Sequence, residues 1–269
     1  MPELPEVETT VRGISPWLQG AVIRQVLVRE KRLRWPVPGA VERASGRAVR
    51  GVRRRAKYIL IGLETGTLMI HLGMSGSLRV LTEPVAPGKH DHFDLVLDDC
   101  TIRYTDPRRF GCLLWIPPPG ADHPLLSGLG PEPLSADFSG EYLHARSRGR
   151  KVSVKHFVMD GKIVVGVGNI YVSEALYMAG IHPLRAAGRI SRARYDALAD
   201  AIRDVLQRAI DQGGTTLRDF SGSGGQPGYF AQDLLVYGRA GQPCFQCSSP
   251  VRQKVIGQRS SFYCVRCQR

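Results

Sequence analysis

The sequence predicts an α+β protein in which a β domain comes first, a helical domain second and a small cysteine-rich module last. Short apolar segments separated by turns follow one amphipathic segment before residue 117, which is typical of a β-sandwich or barrel that carries a helix. A proline-rich break then leads into segments with helical periodicity, and four of the six cysteines lie beyond residue 243. We place the three parts at residues 1–130, 131–232 and 233–269, as expected for a chain longer than one average domain.

The first helix is predicted to begin within the opening run Met1-Pro2-Glu3-Leu4-Pro5-Glu6-Val7-Glu8. Pro5 suits the first helical turn, and the glutamates around it suit the positive end of the helix dipole. An apolar stripe on one helical face ends just before Gly20 and consists of Val7, Val11, Ile14 and Leu18. Such a helix would hold the N-terminal residues rigidly.

Pro2 and Glu3 carry the chemistry that a rigid terminus could support. A small second residue permits removal of the initiator methionine, which would leave Pro2 with a free secondary amine. That amine can attack an electrophilic sugar carbon and form a charged imine, and the adjacent carboxyl group of Glu3 can shuttle protons. On these residues alone, the alternative that proline and glutamate only start a helix stays open.

Hairpins are predicted for the remainder of the β part, the first of them around the turn Glu64-Thr65-Gly66-Thr67. Strands are expected at 22–28, 56–61, 68–72, 77–81, 93–97, 101–104 and 112–116. In the helical part, Ser135 is expected to cap one helix, and a second is expected to end at Gly180. Ser191 opens the longest helix, which stops at Gly213.

The net charge of +13 points to a polyanionic partner. Nucleic acid is the first candidate and an anionic membrane the second, and nucleic acid is favoured because no basic amphipathic helix is evident. No apolar run approaches the ~18 residues of a membrane helix, and the acidic N-terminus lacks the apolar stretch of a signal peptide. We therefore expect a cytoplasmic protein that binds nucleic acid.

Two CxxC pairs predict a metal site, and they consist of Cys244, Cys247, Cys264 and Cys267. Their spacing is typical of one structural zinc ion held by four thiolates, with a β-hairpin between the pairs. Sulfur fills all four coordination positions, so none remains for catalysis. The basic residues of the module favour phosphate binding. Cys100 and Cys112 stand apart in strand-like surroundings and are expected to be buried thiols.

Two further motifs have both a functional and a structural interpretation. Gly166-Val167-Gly168-Asn169 resembles an anion-binding turn at a helix start, although a glycine-rich turn needed only for packing explains it equally well. Asp106-Pro107-Arg108-Arg109-Phe110-Gly111 pairs arginines with an aromatic residue. Without further context, we favour a solvated loop in which Phe110 folds inward.

Taken together, these motifs closely resemble the formamidopyrimidine-DNA glycosylase family (the bacterial Fpg/MutM enzymes), which removes oxidised purines from DNA. The resemblance runs the length of the chain, and the joint order of the motifs is its most specific feature. The motifs that show the resemblance are the opening run, the cysteine pairs and the segments 55–58, 71–76, 89–92, 104–111, 165–171, 213–217 and 227–230.

The resemblance implies an N-terminal β-sandwich with the nucleophile helix, a helix–two-turns–helix domain and a C-terminal zinc ribbon. It also implies a monomer whose partner is double-stranded DNA that contains oxidised purines or abasic sites. The damaged base would be flipped out of the duplex, which costs least for a damaged or mispaired base. Glycosidic cleavage would be followed by β,δ-elimination, which cuts the strand.

Residue by residue, the resemblance implies that Pro2 attacks the sugar C1′ to form a Schiff base while Glu3 handles protons. Lys57 is implied as a phosphate contact and as the proton donor in β-elimination. Arg259 is implied as a phosphate contact that assists δ-elimination. Contacts with DNA are implied for His71, Met74, His90, Arg108, Phe110, Arg150 and Asn169.

The resemblance also assigns roles to loops. The gap left by the extruded base would be filled by Met74, Arg108 and Phe110, so Phe110 is now expected to project outward. The glycine-rich segment 217–228 would close over the extruded base. The chain departs from many relatives at Arg218, where they have lysine, and this change keeps the charge. It also departs at His156, where they have proline, which leaves the local geometry near Lys155 open.

Two alternatives remain at this point. The related endonuclease VIII branch, which prefers oxidised pyrimidines, shares the Pro-Glu start and the zinc hairpin but lacks the Glu-Leu-Pro-Glu-Val-Glu run. The other alternative is a zinc-ribbon DNA-binding protein without chemistry. Pro2 and Glu3 separate this last alternative from an enzyme, because binding alone does not require a free N-terminal proline.

Overall fold

The computed structural model describes residues 2–118, 123–214 and 233–269. The chain divides into two compact units, Met1–Ser127 with Gln212–Tyr229 and Gly128–Asp211 with Phe230–Arg269. By its contacts the cysteine-rich module belongs to the second unit, and the sequence-based division at residues 130 and 232 stays a prediction. The segment 217–228, expected to close over a base, and Arg218 within it lie outside the described residues.

Helix α1 spans Leu4–Leu18, as the sequence predicts. Glu3 is its N-cap residue and forms a capping box with Glu6, in which the backbone N–H of Glu3 donates to Glu6 Oε2 at 2.8 Å. Pro5 lies in the first turn, where its missing N–H costs no hydrogen bond. The predicted apolar stripe is buried in the core of the first unit. The start of α1 is therefore fixed both by its cap and by packing.

Two antiparallel sheets share this core and form the predicted β-sandwich. In the described part of the first unit the strands are β1 (Val22–Ile23), β2 (Gln25–Val28), β3 (Arg47–Arg55), β4 (Tyr58–Leu63), β5 (Gly66–His71), β6 (Ser77–Leu81), β7 (Asp91–Val96), β8 (Thr101–Thr105) and β9 (Cys112–Ile116). One sheet has the order β1-β3-β4-β5-β9 and the other β2-β7-β8-β6. Apolar side chains from both sheets and from α1 form one buried cluster. The sandwich thus provides the rigid base on which α1 and the strand ends are held.

The second unit contains four helices and a hairpin among its described residues. The helices are α2 (Gly140–Ser147), α3 (Val154–Met159), α4 (Asn169–Met178) and α5 (Arg192–Asp211), and the hairpin strands are β10 (Arg252–Ile256) and β11 (Arg259–Tyr263). Helix α4 is buried along nearly its whole length, because α3, α5 and β11 all pack against it. Among the described helices, none combines the length and the apolar character that a bilayer crossing requires.

One helix boundary differs from the sequence-based expectation. The predicted cap Ser135 does not start a helix; instead its hydroxyl donates to the carbonyl of Glu132 at 2.8 Å. Helix α2 begins four residues later, where Ser139 Oγ accepts from the backbone N–H of Tyr142 at 3.0 Å. Both serines suit a cap, and Gly140 decides between them because it lies against Asp196 of α5 with no room for a Cβ atom.

Candidate nucleic-acid interface and metal centre

The predicted nucleophile and its neighbour lie at the fixed start of α1. Pro2 is buried and Glu3 is 2% exposed. Glu6 is also buried, and Gly214, with φ +85°, lies so close that a Cβ atom there would come within 3.2 Å of Glu6 Oε1. The cap, the helix and the chain at Gly214 therefore hold Pro2 and Glu3 in one place. The carboxyl group of Glu3 accepts from the backbone N–H of Glu6 in the capping box, so it is fixed at the start of α1, one residue from Pro2.

Lys57 lies in the two-residue turn between β3 and β4, since Arg55 pairs with Tyr58. The turn requires φ +53° at Ala56, a conformation in which a residue other than glycine is uncommon. Arg54 stabilises it by donating from Nη1 to the carbonyl of Ala56 at 3.0 Å and from Nε to Glu8 Oε2 at 2.9 Å. Through Glu8, helix α1 positions the turn that carries Lys57.

His71 ends β5 and is held in one tautomer. The backbone N–H of Gly73 donates to Nδ1 of His71 at 2.8 Å, which leaves the ring proton on Nε2. Burial, followed by the positive charges of Lys57 and Arg34, lowers the pKa of His71 to about 4. His71 is therefore neutral near pH 7 and suited to donate a hydrogen bond to an anion rather than to pair with it as a cation.

The loop at 106–111 is organised around the carboxylate of Asp106, which is fully buried. It accepts hydrogen bonds from the Ser75 hydroxyl at 2.7 Å and from the backbone N–H of Gly111 at 2.9 Å. The hydroxyl of Tyr104 and the backbone N–H of Arg108 donate to it at 3.1 and 3.2 Å. Asp106 thus joins this loop to the turn at 73–76, which carries Met74. No sequence motif pointed to this role.

Three predicted gap-filling residues are brought to one edge of the sandwich by this loop and turn: Met74, Arg108 and Phe110. A Cβ atom on Gly73 would come within 2.4 Å of the Gly111 nitrogen, so the two backbones touch. Phe110 is 44% exposed, and the guanidinium of Arg108 lies over its ring at 5.0 Å. The inward orientation first favoured for Phe110 is wrong; Asp106 turns the backbone so that the ring projects.

His90 is exposed and lies on the same edge, next to a cavity of about 410 Å³. The carbonyl of His90 accepts from the backbone N–H of Asp106 at 3.0 Å, which ties the two segments together. The cavity is lined by Arg29, Glu30, Gly88, Lys89, His90, Asp91, His92, Pro107 and Arg109. His92 is buried, and its Nε2 lies 2.7 Å from the carbonyl of Asp106, so it supports the loop.

In the second unit, Asn169 and Arg259 are brought together at the hairpin. Asn169 is the first residue of α4, and its Nδ2 donates to the carbonyl of Ser260 at 2.9 Å. Buried Lys155 donates to the hydroxyl of Ser261 as well as to the carbonyl of Ser260. Arg259 begins β11 and is exposed. The residues beside Arg259 are therefore held by α3 and α4.

Arg150 and His156 lie elsewhere in this unit. Arg150 is exposed in the segment between α2 and α3. His156 packs its ring against Gly257, where a Cβ atom would come within 1.7 Å of Nε2, while Nδ1 lies 2.9 Å from the hydroxyl of Ser153. The geometry that the sequence left open is thus a contact between α3 and the turn of the hairpin.

The four predicted ligands form one cluster, with their sulfur atoms all within 4.8 Å of one another. The Sγ atoms of Cys244 and Cys267 are 3.8 Å apart, and those of Cys247 and Cys264 are 3.4 Å apart. Four sulfurs at ~2.3 Å from a tetrahedral zinc ion would be separated by about 3.8 Å. The cluster therefore has the donor set and the spacing that a tetrahedral thiolate site requires, so these cysteines could hold a metal ion.

Comparison with known proteins identifies the class that this fold and these sites define. The model of the formamidopyrimidine-DNA glycosylase N-terminal domain matches residues 1–113, and that of the formamidopyrimidine-DNA glycosylase H2TH domain matches residues 129–221. The chain thus has the two-part architecture of a helix–two-turns–helix DNA glycosylase.

Full-length relatives narrow the class to one family. The formamidopyrimidine-DNA glycosylases of Syntrophotalea carbinolica and Alcanivorax borkumensis are 60% and 61% identical to this chain, with 100% of both chains covered. The crystal structure of the Thermus thermophilus MutM (Fpg) protein is similar with a TM-score of 0.89 and 38% identity, covering 99% of this chain and 98% of that one. Lactococcus lactis Fpg in complex with abasic-site DNA gives a TM-score of 0.91 and 30% identity, with 99% of each covered. The chain belongs to the formamidopyrimidine-DNA glycosylase family.

The neutral state of His71 predicts a pH dependence of stability. The pKa of His71 is about 4 in the folded protein and ~6.5 in an unfolded chain. The unfolded state therefore takes up the proton first, and the contribution of His71 to stability is present above pH ~6.5 and is lost as the pH falls towards 4. We expect the wild type to lose about 2 kcal/mol more than His71→Gln between pH 7 and pH 4.5.

Urea denaturation followed by tryptophan fluorescence measures this difference in stability. The fluorescence reports on the first unit, because Trp17, Trp35 and Trp115 all lie there. His90→Gln is the control, because His90 lies in the same unit and is exposed. Equal losses in the wild type and in His71→Gln would show that His71 is not held neutral.

Proposed function

We propose that this protein is a bifunctional glycosylase and abasic-site lyase that removes oxidised purines, such as 8-oxoguanine and formamidopyrimidines, from duplex DNA. The observation that carries the proposal is the buried Pro2-Glu3 pair at the capped start of α1, in a chain 60% identical to curated formamidopyrimidine-DNA glycosylases. Solved structures of the Lactococcus lactis relative contain Fapy-dG DNA and abasic-site DNA.

The chemistry starts from the amine of Pro2, which removal of Met1 would expose. An α-amine titrates near pH ~8, so a useful fraction is unprotonated at neutral pH. The nitrogen attacks C1′ and loses its proton, and the base departs with the glycosidic electron pair. The C1′–O4′ bond of the sugar ring then breaks, O4′ takes up a proton, and a charged imine forms between C1′ and the proline nitrogen. Glu3 moves the protons that base loss and opening of the sugar ring require.

Strand cleavage follows from the imine. Loss of the C2′ proton breaks the C3′–O bond in β-elimination, and a second elimination breaks the C5′–O bond. We assign Lys57 as the proton donor in the first elimination, supported by its fixed turn beside α1. We assign Arg259 as the residue that contacts the leaving phosphate in the second elimination. Its exposed position beside the Asn169–Ser260 contact supports this assignment.

The remaining predicted residues bind the duplex. Neutral His71 and the amide of Asn169 donate hydrogen bonds to phosphates beside the lesion, and His90 and Arg150 contact the backbone further away. The gap left by the extruded base is filled by Met74, Arg108 and Phe110, whose position on one projecting edge supports this assignment. The duplex is therefore held on both sides of the extruded base while the gap stays filled.

We further propose that the four-cysteine cluster binds one structural zinc ion and that the protein works as a monomer in the cytoplasm. A reducing compartment keeps the four thiols available to a metal. When bound, zinc would fix the two CxxC turns and hence the hairpin between them. The cysteines that would hold it are Cys244, Cys247, Cys264 and Cys267.

The activity predicts a specific set of products and a specific inactive variant. A duplex with 8-oxoguanine opposite cytosine should release the damaged base. The strand should then be cut, with a phosphate group at each of the two new ends. Glu3→Gln should bind this duplex but excise at least ~100-fold more slowly, because general acid–base catalysis contributes roughly 10²–10⁴-fold. Gel analysis of single-turnover reactions measures both quantities.

Glu64→Gln is the matched control, since Glu64 is exposed and its carboxylate pairs with Arg50 rather than with a residue at the start of α1, and it should act like the wild type. A wild type that binds the duplex without cutting it would favour the non-catalytic alternative. Faster excision of an oxidised pyrimidine than of 8-oxoguanine would favour the endonuclease VIII-like alternative.

Arg108 predicts a preference for the base on the opposite strand. A guanidinium offers only donors, and the orphaned cytosine presents two neighbouring acceptors, whereas adenine presents one acceptor next to its own amino donor. A bidentate contact is worth roughly 1–3 kcal/mol, or about 5- to 150-fold. Excision opposite cytosine should therefore exceed excision opposite adenine, and Arg108→Ala should lose most of that difference.

Single-turnover excision from the two pairs tests this. Arg109→Asn is the control, because Arg109 bonds to Glu30 at 3.1 Å and its φ of +55° suits asparagine. If Arg108→Ala keeps the full preference while Arg109→Asn loses it, the assignment to Arg108 is wrong.

The zinc site predicts a selective loss of structure. Zinc-finger peptides gain about 10–16 kcal/mol from their metal, so Cys244→Ser should lose zinc and melt the hairpin while the helices stay folded. Duplex binding should weaken, with a shallower dependence on salt concentration because phosphate contacts are lost. Metal analysis and binding across a salt series measure this, with Cys100→Ser as the control that keeps zinc. Normal binding by Cys244→Ser would show that the hairpin does not contact DNA.

A further inference from the structure

Helix α4 is attached to the cysteine-rich module at three points along its length. Asn169 at its first turn donates to the carbonyl of Ser260. In its middle, the buried carboxylate of Glu174 accepts from the backbone N–H groups of Leu235, Val236 and Tyr237 at 2.7, 3.0 and 2.8 Å. Near its end, the hydroxyl of Tyr177 lies 3.1 Å from Sγ of Cys244. The first two attachments hold backbone, whereas the third reaches a cluster sulfur.

The surroundings of Tyr177 determine the direction of that third contact. Tyr177 is 7% exposed and packs in a cluster with Cys244, Phe262 and Cys264. A thiolate that binds a metal has no proton, so it can only accept, and the phenol must donate. In this apolar cluster, a charged sulfur without such a donor would carry a larger desolvation cost.

We propose that Tyr177 is a positioning residue of the metal site: its hydroxyl donates to the Cys244 thiolate from outside the ligand sphere and slows the release of zinc. The proposal rests on the zinc site proposed above. Hydrogen bonds to metal ligands from groups that do not themselves bind the metal fix the ligand orientation, and their loss typically costs 10–100-fold in metal affinity. The same bond ties the metal to α4, whose first residue, Asn169, is the proposed phosphate contact.

A purely structural role for Tyr177 predicts a different effect of Tyr177→Phe. If the ring only fills the apolar cluster, phenylalanine fills the same space and only a neutral hydroxyl is lost. Tyr195 is a matched control for that case, because it is fully buried in the same unit and its hydroxyl donates to the carbonyl of Ala187 at 2.9 Å. Tyr177→Phe and Tyr195→Phe thus each remove one buried hydrogen bond, but only the first bond ends on a metal ligand.

The test follows zinc release from the zinc-loaded full-length chain into excess chelator with a colorimetric zinc indicator. Tyr177→Phe should release zinc on the order of 10-fold faster than the wild type, and Tyr195→Phe should release it at the wild-type rate. In the cobalt-substituted chain, the sulfur-to-cobalt charge-transfer band should move to longer wavelength in Tyr177→Phe alone. A thiolate that has lost a hydrogen bond gives up an electron more easily, which explains the direction of this change.

Wild-type release and an unmoved band in Tyr177→Phe would overturn the proposal. Equal acceleration of release in Tyr195→Phe would overturn it too, since general destabilisation would then explain the result. A wild-type chain that takes up no zinc would overturn the zinc site and this proposal together. Normal zinc content with equal release rates would overturn only this proposal.

Discussion

The capping box between Glu3 and Glu6 is the interaction on which the proposed chemistry depends. A nucleophile at a chain terminus is ordinarily mobile, and ordering even one residue costs about 1–2 kcal/mol. Here the backbone N–H of Glu3 is bound by the Glu6 side chain inside the protein, and the apolar face of α1 is buried in the core of the sandwich. The cost of ordering Pro2 is thus met by the fold before any DNA binds, which is the pre-organisation that fast attack requires.

From this helix, order extends to other predicted catalytic and DNA-contacting groups of the first unit. Glu8 binds Arg54, and Arg54 holds the turn that carries Lys57. His71 follows two strands later in the same sheet and pairs in register with Tyr58, the residue after Lys57. These groups are therefore attached to paired strands and one helix, and the Glu8–Arg54 contact fixes the turn of Lys57 relative to α1.

A buried carboxylate organises an irregular segment in each unit. Asp106 gathers two backbone N–H groups and two hydroxyls so that the loop with Arg108 and Phe110 projects. Glu174 gathers three backbone N–H groups at the entrance to the cysteine-rich module. Both carboxylates satisfy backbone groups that no strand or helix partner reaches, and burial makes each such bond costly to lose.

These two carboxylates also show which features local sequence patterns do not predict. Helix α1, the hairpins and the clustering of four cysteines follow from local periodicity, turn residues and cysteine spacing, and the structure confirms each of these three features. Asp106 and Glu174 act on residues distant in the chain or in irregular segments, for which local patterns carry no signal. The orientation of Phe110 and the choice of Ser139 over Ser135 as a cap depend on such tertiary contacts, so local reasoning alone misjudged both.

The central claim is that the nitrogen of Pro2 becomes covalently attached to DNA. Borohydride reduction during reaction with an 8-oxoguanine duplex would convert the imine to a stable amine, and tandem mass spectrometry of the digested adduct would locate it. The account predicts that the sugar remnant lies on the nitrogen of Pro2, in a peptide that lacks Met1. A remnant on the side chain of Lys57 or of any other lysine would contradict it.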